Sequence, residues 1–300
     1  MIREALSAVA RNESLGPIVG RTPVARNLVK HLIGGESLED ALALVAGLTD
    51  RGYLVSLERA APHVVTDEEA DTHMEECVRM AAGMDDAGLS GVCELAVFPE
   101  ALLAVDGQAD GWDRLLRVVE AAAERRVCVM LGAGPDPTLS MRLREELAER
   151  GFDVGATVAA AHRGSEADCR RLADHRVRLV KGGRRGDSDD LQHPIEIDKA
   201  YVRCAKALLK GAGDPSFATH DPRLVDAVQT LAPRYERAPH SYEFAFFLGR
   251  QEAAQERLLA EGERVRIYVP YGPHWFERLV GGLAEQSGTI GAALRSLLPR

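Results

Sequence analysis

Lys181 closes a short run with alternating apolar residues, Arg176–Val180 (RVRLV), and is followed by Gly182 and Gly183. A charged side chain at the C-terminal end of a strand, before glycines that let the backbone approach a ligand, is the pattern of an active-site strand end in a β/α barrel. A lysine snorkelling out of a sheet into a glycine turn gives the same letters, so the other strand ends have to be read with it. They carry Glu58, Glu94, Gly132, Gly134, His162, Arg163, Thr219, His220, Asp221, Glu243, Tyr271 and His274. The glycines also suit plain turns, and His220 also suits a satisfied loop histidine. Together these residues form a polar ring fit for a substrate or cofactor. The chain has no HxH or HExxH, so no metal site is expected. It has no GxSxG and no Walker loop either. On residue types and spacing alone, the ring implies a cofactor or substrate barrel and stops short of a reaction.

Eight candidate strands position that ring: Tyr53–Leu57, Gly91–Val97, Val127–Leu131, Asp153–Ala159, the Arg176–Val180 run, Ser216–Thr219, Tyr242–Phe247 and Val265–Val269. Helical or irregular stretches separate them. Thr66 and Glu69 form a capping box that opens a helix to about Ala87. Pro137 and Thr138, Ser165, and Pro222 open others. Strands alternating with helices predict a parallel sheet, and eight such units predict closure into a distorted (βα)8 TIM-type barrel, an α/β fold. No G-x-G-x-x-G follows the first strand to favour an open doubly wound sheet. Residues 1–50 read as a helical extension, with helices at Thr22–Ile33 and from Ser37, and 51–300 as the barrel, one domain overall.

Composition limits the partners. The 300 residues are 46% apolar and carry a net charge of −9 spread along the chain. This argues against a nucleic-acid or anionic-membrane partner. No apolar run is long enough to span a bilayer, and MIREALSAVARNES has no apolar signal core, so a cytoplasmic protein is expected. The five cysteines are odd in number and never paired as CxxC, which suits reduced thiols.

RLVKGG at Arg178–Gly183, ATHDPRL at Ala218–Leu224, YEF at Tyr242–Phe244 and RIYVPYGPHW at Arg266–Trp275 occur in that order. This combination resembles the FAD-dependent proline dehydrogenase family, whose members read RLVKGAY, ATHD, (F/Y)EFQMLxG and YxPYGxxW. LVSLE at Leu54–Glu58 and VGATVAAAHRGSEAD at Val154–Asp168 are similar to two further family strands. The likeness covers about residues 37–286. It implies a distorted barrel with FAD across the C-terminal ends of the strands. It also implies that Ala159, Arg178, Val180, Lys181, Gly182, Gly183, Thr219, His220 and Glu243 line that cofactor. Arginine and lysine suit a pyrophosphate and the negative charge that builds on a reduced flavin. Lys181 is the candidate for a catalytic role beside flavin and substrate.

The substrate side departs from the family. Its last helix carries YxxRRxxE, whose arginine pair grips a carboxylate as a bidentate ion pair. Here the segment is RLVGGLAE, so Arg278 replaces the tyrosine, Gly281 and Gly282 replace the arginines, and Glu285 remains. Two glycines within a helix cost about 1 kcal/mol each relative to alanine, and losing a buried carboxylate contact costs about 2–5 kcal/mol of binding. The family's D-x-E on the third strand becomes Met130, Leu131 and Gly132. Its QAY becomes Ala159, Ala160 and Ala161, its second-strand lysine becomes Glu94, and the Arg of xRT becomes Gly164 beside Arg163. Met130, Tyr271, Lys181, Arg278, Gly281, Gly282 and Glu285 are the expected substrate-side residues, with Arg278 or Arg163 in place of the lost clamp.

The expectation is a flavoenzyme that oxidises a C–N or N–N bond of a small amine other than free proline. Its electron acceptor is open between oxygen, a quinone and a carrier protein. The alternatives are a proline dehydrogenase making 1-pyrroline-5-carboxylate, and a flavin-binding protein without turnover.

Overall fold

The computed structural model describes residues 32–60, 64, 66–103, 108–134, 136, 138–182 and 190–273. Eight parallel strands close into a barrel in sequence order. They are β1 Leu54–Arg59, β2 Cys93–Val97, β3 Cys128–Leu131, β4 Val154–Ala159, β5 Val177–Val180, β6 Pro215–Ala218, β7 Glu243–Phe247 and β8 Arg264–Tyr271. Around them run α1 Leu38–Asp50, α2 Asp67–Asp86, α3 Gln108–Glu124, α4 Leu139–Glu149, α5 Ser165–Arg171, α6 Pro194–Lys210, α7 Pro222–Leu231 and α8 Glu252–Ala260. β1 pairs with both β2 and β8, which closes the ring.

The expected strands fall within about two residues of those observed. Local signals explain the helix starts. Ser37 Oγ accepts the Asp40 N–H at 3.1 Å and caps α1. At α2, Thr66 Oγ1 accepts the Glu69 N–H and the Glu69 carboxylate accepts the Thr66 N–H, the reciprocal bonds of a capping box. α8 was not singled out in the sequence. It opens on Gln251, in the left-handed region at φ +59° and with no side-chain cap, so no residue announces it. All but the last two residues of the expected Thr22–Ile33 helix lie outside the described residues, as does the RLVGGLAE segment, Arg278–Glu285.

Side chains alternate across each strand. Val55, Leu57, Leu95, Val97, Val129, Val158, Leu179, Phe217, Phe244, Phe246, Ile267 and Val269 are buried in one apolar cluster with Met80 and Met84 of α2, Leu115 of α3, Leu147 of α4 and Leu208 of α6. This cluster is the layer between barrel and helices. Truncating one such side chain to alanine costs about 2–5 kcal/mol. Barrel interiors are usually filled by branched apolar residues. This one instead encloses Ser56, Glu94, Arg178, Glu243 and Arg266, all buried.

Candidate functional site

The inward-facing residues form two layers. The lower layer is a lattice of ions from five strands and the β4–β5 connection. Arg178 of β5 reaches across the barrel to Glu94 of β2 and donates to Ser56 Oγ of β1 at 2.6 Å. Ser56 in turn donates to Glu94. Arg176 contacts Glu94 at 2.6 Å and Glu243 at 3.3 Å. Arg266 of β8 makes a two-pronged contact with Glu243 at 2.6 and 3.0 Å, and donates to the Val55 carbonyl at 2.7 Å. Asp214 and Arg264, both part-exposed, pair at the lower edge at 2.8 Å.

Burial pushes the carboxyls of Glu94 and Glu243 up, but the surrounding guanidiniums prevail. Arg266, Arg178 and Arg176 hold Glu94 far below the usual carboxylate range. Arg266 and Arg176 bring Glu243 down to about 2. Burial pulls Arg176 down as well, and Glu94, Glu243 and Asp214 more than reverse it. All these groups are therefore charged near neutral pH. Among the described residues, four guanidiniums (Arg176, Arg178, Arg264, Arg266) face three carboxylates (Glu94, Asp214, Glu243), and Glu58, buried and inward on β1, supplies a fourth carboxylate at the mouth, so these formal charges balance. Arg178 Nε is buried with no hydrogen-bond partner.

The upper layer is the mouth. Ala96, Met130, Ala159, Val180 and Ala218 contribute small or apolar side chains, and Phe247 and Tyr268 face each other across the β7–β8 pair with ring centroids 5.1 Å apart. Arg178 lies over the Tyr268 ring at 5.6 Å, and the Tyr268 hydroxyl donates to Glu58 Oε2 at 2.7 Å. His220, in the β6–α7 loop, stacks on Phe247 at 5.5 Å and accepts the Phe247 N–H on Nε2 at 3.0 Å. Burial, with help from Arg250, pushes the His220 imidazole down to about 4, so it is neutral near pH 7. Thr219 Oγ1 accepts the Asp221 N–H at 3.2 Å, and the Asp221 carboxylate caps α7.

Lys181 sits at the rim, paired with Asp198 of α6 and 3.6 Å from Asp221. Arg223 bridges the same two carboxylates at 3.2 and 2.7 Å. Gly182 follows at φ +67°, where a Cβ would lie 2.5 Å from the Ala159 Cβ. Only glycine therefore lets β4 and the β5 loop come this close.

The structure thus brings Ala159, Val180, Lys181, Gly182, Thr219 and His220 to one end of the barrel, with Arg178 in the lattice directly beneath Val180. Two expected residues lie elsewhere. Glu243 is in the lower lattice, fully buried, two pleats below Phe247 on the same strand. Tyr271 is on the outward face of β8, beside Arg59, Glu76 and Arg79 at a polar cleft of about 340 Å³. Met130 is inward and buried, packed over Gly155. Gly183, Arg278, Gly281, Gly282 and Glu285 lie outside the described residues; Arg163 is exposed in the loop after β4. Sequence reasoning missed Tyr268 and Phe247. Strand parity identifies both: Val265, Ile267 and Val269 are the apolar outer face of β8, so Tyr268 must point inward and Tyr271 outward.

Among the described residues, no helix is long and apolar enough to cross a membrane.

The sequence matches the family described as Proline dehydrogenase over residues 41–276. Proline dehydrogenase 2 of Bacillus subtilis is 23% identical over 273 residues, covering 89% of this chain and 89% of that protein. Proline dehydrogenase of Deinococcus radiodurans is 24% identical over 281 residues, 91% of this chain and 90% of that one. Among solved structures, proline utilization A from Bdellovibrio bacteriovorus superposes with a TM-score of 0.77 at 21% identity, over 94% of this chain. The Bradyrhizobium japonicum proline utilization A mutant D779W gives 0.68 at 21% identity, over 92%. This chain spans 33% of each of those longer proteins.

Proposed function

The chain belongs to the proline dehydrogenase family, a family of flavin-dependent dehydrogenases, and from that premise we propose that it holds FAD at the barrel mouth and oxidises the C–N bond of a small amine other than free proline. The observation that carries the substrate half is the state of the two cations nearest the mouth. Arg178 is committed to Glu94 and Ser56, and Lys181 to Asp198 and Asp221. Lys181 is thus engaged with acids of α6 and the β6–α7 loop, and Arg178 keeps only its buried Nε unpartnered. The replacement of the family's arginine pair by Gly281 and Gly282 points the same way.

The chain's own residues fit a flavin. Arg178 Nε is a buried donor without a partner, and Gly182 with Ala159 and Ala218 leaves the strand ends bare for a flat group. Arg178, Val180, Lys181, Gly182, Gly183, Thr219, His220 and Ala159 would hold it, with Glu243 acting from below by orienting Arg266 and Arg176. When bound, FAD supplies the hydride acceptor. The mouth orients the amine as the free base. With the amine neutral, its nitrogen lone pair would be free to form the C=N bond of the iminium product, so what the mouth must do is orient the α C–H bond and keep the nitrogen unprotonated. Arg178, held under the mouth by Glu94 and Ser56, is the cation that would lie beneath a bound flavin. No residue is required as a general base, and Lys181 is the group proposed to act beside the reacting atoms, exchanging its contacts with Asp198 and Asp221 to do so.

A second reading, oxidation of proline itself to 1-pyrroline-5-carboxylate, is supported by the names of the relatives. The purified chain is expected to be yellow, or to turn yellow and gain the flavin absorption spectrum with added FAD, and Lys181→Ala should slow amine oxidation. A colourless protein that takes up no FAD would defeat the proposal.

A further inference from the structure

We propose that Phe247 makes this mouth a site for amines that carry an aromatic or flat apolar group and no carboxylate. The inference rests on the flavoenzyme reading above and adds the substrate class.

Among the described residues, the large apolar side chains left exposed are Phe247, at 42%, and Ile195, at 57%. Both are at the same end of the barrel. Phe247 ends β7, and Ile195 is in the first turn of α6, which follows the loop after β5. Elsewhere large apolar groups are covered, so their exposure here marks a surface that a ligand covers.

The Phe247 ring is also held rigid. His220 stacks on it with an interplanar angle of 16°, and Tyr268 meets it edge-on at 77°. The Phe247 N–H is anchored on His220 Nε2. An aromatic ring fixed on one face and open to the mouth is a preorganised stacking surface, and it costs a ligand little ordering. The neighbouring inward position on the same strand is Ala245, across from Ala218 of β6. Alanines there leave room for a flat group beside the ring.

The charges agree. His220 carries no charge near pH 7, because burial disfavours the imidazolium. Lys181 and Arg178 already face carboxylates. A carboxylate placed on Phe247 would meet an uncharged aromatic surface and no free cation from the floor or the β5 end.

The test uses flavin-loaded protein and three probes: pyrrolidine, N-methylbenzylamine and N-benzylglycine. Dissociation constants are read from the flavin spectral perturbation, checked by calorimetry, with melting curves confirming that each variant is folded. N-methylbenzylamine should bind about tenfold more tightly than pyrrolidine, and N-benzylglycine more weakly than N-methylbenzylamine. Phe247→Ala should remove most of the aromatic preference, and Phe247→Leu, which keeps an apolar side chain on His220, about half of it on a logarithmic scale. Yellow protein that binds pyrrolidine and N-methylbenzylamine equally, or that keeps its preference in Phe247→Ala, overturns this inference alone. Tighter binding of N-benzylglycine also overturns it, and shows a carboxylate grip. Protein that takes up no flavin overturns both this inference and the reading beneath it.

Discussion

The floor and the rim of this barrel are built on opposite plans. In the floor, Glu94, Glu243, Arg176, Arg178 and Arg266 are packed out of water, and the carboxylates are each shared by two or more guanidiniums. At the rim, the side chains are alanines, Phe247 and the neutral His220, and the one lysine is paired outward with α6 and the β6–α7 loop. The floor spends its polar capacity on itself, while the rim leaves surface uncovered. A buried ion cluster is weak evidence for stability in itself, because desolvation offsets much of the attraction. Its value here is geometric: it fixes the Arg178 guanidinium under the mouth, out of reach of solvent screening.

The floor is where substitution should cost most. Glu243→Ala leaves Arg266 and Arg176 without their shared carboxylate, and breaking such a buried pair costs about 3–5 kcal/mol. Urea unfolding should show this as a fall in midpoint. Phe247→Ala at the rim should cost about 1 kcal/mol or less, since the ring is already two-fifths exposed. If the two variants were equally destabilised, the contrast between the layers would be lost.

Acid separates the regions next. His220 at the rim and His73 in α2 are both pushed by burial from 6.5 to about 4. The unfolded chain therefore binds protons that the folded chain refuses. Stability is whole above about pH 6.5 and falls as pH drops towards 4, by on the order of 3 kcal/mol for each imidazole. The floor answers lower down. Glu243, held at about 2, contributes in full above about pH 4.5 and loses that contribution progressively as pH falls from 4.5 towards 2. Melting curves from pH 8 to 3 should show the first loss between 6.5 and 4, and His220→Asn should reduce it. A flat profile across that window contradicts the burial of these two rings as neutral imidazoles.

The smallest effect belongs to the helix starts outside both regions. Ser37→Ala removes the cap on α1 and should cost about 1 kcal/mol, a few degrees or less in melting temperature, with no change in flavin uptake.

How much of this was legible in the sequence divides along the same line. The outer layer was readable because burial imposes a period of two on strands such as Val55 and Leu57 or Val265, Ile267 and Val269, and because Ser37 and Thr66 announce helix starts chemically. The floor was not. That Glu94 meets Arg178 and Arg176 depends on distant strands meeting across a closed barrel, which no local pattern encodes. Glu243 was expected beside the cofactor because its motif is; its parity with Ala245 and Phe247 places it two pleats lower. Tyr271 is likewise expected at the site because its motif is, but an odd separation of three residues puts it on the opposite face of β8 from the inward Tyr268.

The central claim is that the mouth keeps a flavin and has given up the carboxylate grip. Anaerobic titration of the flavin-loaded protein with pyrrolidine and with L-proline, followed by loss of flavin absorbance, tests it most directly. The account predicts that pyrrolidine bleaches the flavin at lower concentration than L-proline does. Bleaching by L-proline at the lower concentration would contradict it.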